Sequence, residues 1–188
     1  MSHHMSRSTP FRHPLKELIP AQPGIRAVDH LEISSRQAIM TLLSMPGREA
    51  DVAAAMAAAE DIALRYISPG EWLALSRIAT PDDLARDLSL RLADAAHCFD
   101  QSDGRVLLRL SGPNARRILS KGVGTDLHPS AFDIGRSSNI LCGHIGVNLA
   151  RTGENEFELI VTRSLAVSLF DDLRRMGREF DLSFGFST

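Results

Sequence analysis

The chain has 188 residues, 44% of them hydrophobic, and 21 Lys and Arg stand against 23 Asp and Glu for a formal net charge of -2. That length supports one sizeable core, and cations interleaved with acids are unlike the strongly basic surface of a general nucleic-acid binder. No apolar run approaches the ~20 residues needed to span a bilayer, and the N-terminus lacks an apolar signal core, so a cytoplasmic compartment is expected.

Met1 to Ser6 (MSHHMS) has the character of a cloning remnant, and His3 and His4 are set aside from any metal argument. Pro10, Pro14, Pro20 and Pro23 lie among polar residues up to about Gly24, which predicts an extended, flexible arm over residues 1–26. Such an arm reads either as a frayed tail or as a segment that wraps a partner. A single domain is expected from 27 to 188.

Leu31 to Ser35 and Gln37 to Leu43 read as extended segments, and Pro46-Gly47 opens an alanine-rich helix over about 48–63 whose Val52, Met56, Ala59 and Ile62 share a core face. Ser68-Pro69-Gly70 is a turn into a strand that begins at Trp72. The only tryptophan reads as a core aromatic, with a partner-facing anchor as the functional alternative. Thr80-Pro81-Asp82-Asp83 is a helix start, with a hydroxyl cap, proline at the first position and acids in the first turn. Leu84, Leu88 and Leu92 form its stripe, and the helix is expected to end near Ala96.

His97 to Ser102 and Arg105 to Leu110 are separated by Asp103-Gly104, a pair suited to a tight hairpin. The strand ending at Ser111 should enter a short helix through Gly112-Pro113 and leave it at Gly122 in a left-handed cap. Residues 122–138 read as an irregular connection. Ile145, Val147 and Leu149 alternate on one strand and Phe157, Leu159 and Val161 on the next, joined at residues 152–155 as a second hairpin. Ser164 is expected to cap a last helix carrying Leu165, Leu169, Phe170 and Leu173. Hairpins mixed with helices indicate an α+β fold with largely antiparallel sheets.

The chemistry-bearing motifs are few. Neither a Gly-x-Gly-x-x-Gly turn after a first strand nor a phosphate loop occurs, and Lys121-Gly122-Val123-Gly124 follows a helix instead of opening one. Cys98 and Cys142 lack metal or redox spacing and read as reduced, buried thiols; Cys142 with His144 on one strand face is the catalytic alternative. Asp126 and His128 could form a hydrogen-bonded acid–base pair, against the plainer reading that Asp126 braces the loop while His128 packs beside Pro129. Asp100 near a hairpin turn carries too little context for a folate role.

The run from Leu110 to Gly122 (LSGPNARRILSKG), followed by Asp126-Leu127-His128-Pro129 and Phe132, resembles the gamma subunit of heterotetrameric sarcosine oxidase. The resemblance extends to Glu71-Trp72-Leu73 and to the segment from Phe157 to Ala166, covering about residues 30–175, with Val123 and Asn139 standing where the family favours Cys and Thr. It implies the fold of the glycine-cleavage T-protein (aminomethyltransferase) and a non-catalytic assembly subunit of a complex that demethylates sarcosine to glycine and passes the one-carbon unit to tetrahydrofolate. FAD, FMN, NAD and tetrahydrofolate are then expected on partner alpha, beta and delta subunits and none on this chain alone, with no metal site and no catalytic residue here. Trp72, Asp126, His128 and Phe132 are the signature or interface candidates. A stand-alone folate-binding module of the T-protein type is the alternative.

Overall fold

The computed structural model describes residues 12–20, 26–59 and 61–187. Its strands are β1 (His30–Ile33), β2 (Ala38–Ser44), β3 (Ala63–Ser68), β4 (Glu71–Ser76), β5 (Ala96–Asp100), β6 (Arg105–Ser111), β7 (Ser137–Cys142), β8 (Ile145–Gly153), β9 (Glu156–Thr162) and β10 (Ser183–Phe186). Its helices are α1 (Glu49–Ala57), α2 (Pro81–Leu92), α3 (Ala115–Leu119) and α4 (Ala166–Gly177).

The strands form a four-stranded sheet ordered β3-β4-β2-β5 and a six-stranded sheet ordered β10-β1-β6-β9-β8-β7. The first is a β-α-β-β-α-β unit built from β2 to β5 with α1 and α2; the second repeats that order with β6, α3, β8, β9, α4 and β10. In the second unit β1 is wedged between β10 and β6, and β7 extends the β8 edge. The repeat is topological and left no trace as a sequence repeat. Only the β1–β10 pairing is parallel among the registered ladders, so the expected α+β class with largely antiparallel sheets holds.

Alternation within each strand sorts residues into layers. Val106, Leu108 and Leu110 turn one face of the large sheet toward Ile118, Leu169, Phe170 and Leu173 of α3 and α4. Met40, Leu42 and Ala74 turn the small sheet toward Val52, Met56, Leu84 and Leu88 of α1 and α2. The opposite faces meet through Ile39, Leu73, Leu75, Leu107 and Ile160, which gives a helix–sheet–sheet–helix sandwich. At one side the sheet edges are sealed together: Tyr66 N–H donates to Ser137 Oγ at 3.2 Å, Asn148 Nδ2 to the Tyr66 carbonyl at 3.0 Å and Asn139 Nδ2 to the Ile67 carbonyl at 3.0 Å.

Several local expectations give way to this arrangement. The helix read over 48–63 stops at Ala57, and residues 63–68 form β3. α2 starts as expected, with Asp83 N–H donating to Thr80 Oγ1 at 3.2 Å, but ends at Leu92, where Ala93 adopts a φ of 47°. The Asp103-Gly104 turn does not close a hairpin. Gln101 N–H donates to the Ile39 carbonyl at 2.8 Å and Ile39 N–H to Ser102 Oγ at 3.0 Å, holding the end of β5 on β2, while β6 pairs with β1 and β9 in the other sheet. The β8–β9 hairpin forms as read. Ser164 lies inside a 3-10 turn (Arg163–Leu165) and makes no cap, and Leu165 is exposed.

Of the proline-rich arm, residues 1–11 and 21–25 lie outside the described residues. In the stretch 12–20, Leu15 and Ile19 are buried in the larger core, and the His13 ring stands edge-on to Phe186 at 4.9 Å. This part of the arm is seated on the chain's own core.

Candidate functional site

The signature run is built around Gly112, which links β6 to α3 with a φ of +128°. A Cβ there would lie 2.4 Å from Asp29 Oδ1 and 2.6 Å from the Val28 carbonyl, so only glycine lets the chain pass. Asp29, just before β1, accepts from Asn114 N–H at 2.8 Å and from Asn114 Nδ2 at 2.9 Å, and thus caps α3 from a distant part of the chain. α3 is a single five-residue turn. Gly122 is not left-handed; a Cβ there would lie 2.8 Å from Met176 Sδ of α4, a contact that the flexible methionine end can relieve by shifting. Val123 is buried and bridges to Cys142 of β7, so its side chain serves packing.

Asp126, His128 and Phe132 follow in the loop, and the structure does not join the first two as side chains. Asp126 Oδ1 accepts the His128 backbone N–H at 2.8 Å, while the His128 ring turns to Ser130, with Nδ1 2.7 Å from Ser130 Oγ and accepting Ser130 N–H at 3.3 Å. Both candidates are exposed and brace their own turn. Phe132 is fully buried, its ring lies 5.5 Å below the Arg136 guanidinium, and its carbonyl accepts from Arg151 Nη1 at 3.0 Å. Trp72 sits partly buried against the small-sheet core, whereas Phe132 belongs to the larger core.

The environment of both thiols favours the protonated form. Burial, with the Asp172 charge behind it, pushes Cys142 up to about 11, and burial also raises Cys98, so neither offers thiolate at neutral pH. Cys142 ends β7 in the core while His144 is exposed in the turn that follows, so they do not share a strand face.

A charged network that the sequence did not single out lies between the sheets. Glu158 of β9 is buried and ion-paired through its two oxygens to Arg65 of β3 and to Arg77, which follows β4. Next to it Arg109 of β6 donates to Glu32 of β1 at 2.6 Å and reaches Glu156 at 3.4 Å. The signal available was the regular placement of Arg109, Glu156 and Glu158 on strand faces opposite the apolar ones, but which charges meet depends on the sheet-to-sheet packing.

The family described as "Sarcosine oxidase, gamma subunit family" matches residues 35–176. A sarcosine oxidase subunit gamma from Arthrobacter sp. is 33% identical over 140 residues, and this chain spans 66% of that relative's length. A solved heterotetrameric sarcosine oxidase from Corynebacterium sp. U-96, in complex with pyrrole 2-carboxylate, contains a chain that superposes with a TM-score of 0.76 at 27% identity, over 90% of this chain and 95% of that one. The glycine cleavage system aminomethyltransferase T from Bartonella henselae matches at a TM-score of 0.59 and 15% identity, over 85% of this chain and 48% of its own, which shows the shared fold. With a family match that covers the signature run, both hairpin strands and most of α4, the chain belongs to the sarcosine oxidase gamma subunit family.

Proposed function

We propose that this chain is the gamma subunit of a heterotetrameric sarcosine oxidase and acts as an assembly subunit that docks against alpha, beta and delta partners. Oxidative demethylation of sarcosine, with transfer of the one-carbon unit to tetrahydrofolate, then takes place on FAD, FMN, NAD and tetrahydrofolate carried by those partners, in the cytoplasm. The observation that carries the reading is the superposition on a chain of a heterotetrameric sarcosine oxidase over 95% of that chain's length. The signature geometry supports it: Gly112, Asp29, Asn114, Asp126 and His128 are engaged in turning the backbone and capping α3, which is the work of a scaffold.

An omission experiment tests this. Alpha, beta and delta subunits are co-expressed with and without this chain, and the yield of intact complex and its sarcosine-dependent oxygen uptake are measured. The reading predicts a loss of assembled complex when the chain is left out, restored by supplying it. Equal yield and activity in its absence would overturn it.

A further inference from the structure

Opposite the sealed β3–β7 side, a cleft of about 520 Å³ opens over the large sheet, within the ~300–1,000 Å³ range of small-ligand sites. Its wall carries Arg36, Arg77 and Arg109 against the one carboxylate of Glu32, with Ser35 and Ser187 at the rim. Arg109 is committed to Glu32 and Glu156. Arg77 shares the single carboxylate of Glu158 with Arg65, and burial together with the positive charge of Arg109 lowers its pKa from the ordinary arginine value, against the opposing charges of Glu32 and Glu156. Arg36 is exposed and its guanidinium has no partner among the described residues. Asp103 borders the hollow next to it, which Arg36 and Arg77 also line. The rim is fixed in place: Ser35 N–H donates to Ser187 Oγ at 3.0 Å, the two hydroxyls lie 3.1 Å apart, and Ser187 N–H donates to the Ile33 carbonyl at 2.8 Å.

We propose that this cleft binds a carboxylate, received by the Arg36 and Arg77 guanidiniums with the Ser35 and Ser187 hydroxyls at its edge. Guanidinium forks match carboxylate oxygens two to two, and an arginine held beside another arginine gains most from an added anion. The carboxylate belongs either to a small free acid or to an Asp or Glu side chain of a partner subunit. The proposal goes beyond the assembly reading, and its first test is independent of it.

In the first arm the isolated chain is titrated calorimetrically with succinate at low ionic strength, with inorganic phosphate in parallel. Saturable succinate binding, weakened about tenfold or more in Arg36→Gln and unchanged in Arg174→Gln on α4, assigns a free acid. In the second arm Arg36→Glu and Arg174→Glu are compared for capture of the partner subunits. Absence of succinate binding with capture lost only in Arg36→Glu assigns a partner side chain. No effect in either arm, or phosphate binding as tight as succinate, overturns the proposal. If the unaltered chain captures no partner, the assembly reading falls and the succinate titration alone decides this one.

Discussion

Gly112 shows how much of the signature run is backbone geometry. Its φ of +128° and the 2.4 Å approach of Asp29 Oδ1 leave no room for a methyl group, so Gly112→Ala is predicted to cost about 3 kcal/mol from strained dihedrals and forced displacement of the Asp29 cap. The drop in urea midpoint checks this; a variant as stable as the parent would show that the segment from Val28 to Asp29 moves aside freely. The glycine and the proline were legible from sequence as a strand-to-helix junction. Asp29 was not, because it sits 85 residues from its partner Asn114 and nothing local marks a remote cap.

Glu158 raises the same issue with charge. It is buried between Arg65 and Arg77 and links the two sheets, so Glu158→Leu, which strands the buried Arg65, is predicted to destabilise by about 3–5 kcal/mol. Combining it with Arg65→Met should recover most of that loss, since Arg77 reaches solvent. Denaturant unfolding of the single and double variants measures the difference, and no recovery in the double variant would mean that Arg65 and Glu158 do not act as a pair. The same Arg65 hid β3 from the sequence reading: a charged residue at a buried strand position breaks the apolar alternation, and the preceding alanine run favours helix.

At the scale of elements, the arm segment 12–20 has its own test. Leu15 is fully buried in the larger core, and Leu15→Ala should cost about 2–4 kcal/mol; an unchanged midpoint would return the arm to a loose tail. His13 adds a pH dependence. Burial, helped by the Arg163 charge, lowers its pKa from 6.5 to about 4. The unfolded chain therefore binds the proton first as pH falls, so stability is intact above 6.5 and declines between 6.5 and 4. His30, also lowered by burial and Arg26, acts in the same direction. Urea midpoints at pH 7 and pH 5 should differ less for His13→Phe than for the parent, and equal differences would contradict the assignment.

Elements with strong local marks were readable: the Thr80 cap, the leucine stripe of α2 and the alternation of β8 and β9. The sheet switch after β5 was not, because Asp103-Gly104 carries a hairpin pattern while the partners that decide the pairing, Ile39 and Thr162, lie in other strands. β10 was invisible for a related reason, being four residues that pair only with the distant β1.

At the scale of the whole molecule, two β-α-β-β-α-β units are packed sheet to sheet, sealed along β3 and β7 and open along the arginine-lined cleft. The family was recognisable from one contiguous run, which lies within the matched residues 35–176 and whose backbone path Gly112 fixes in this chain. The charged network and the cleft were not, because they arise where strands of the two sheets meet. Membership of a four-subunit assembly is the central proposal for this chain, and native mass spectrometry of the complex captured through it is the most direct measurement. The predicted result is a single species holding one copy of this chain with alpha, beta and delta; the chain running alone or with copies of itself beside an intact alpha–beta–delta complex would contradict it.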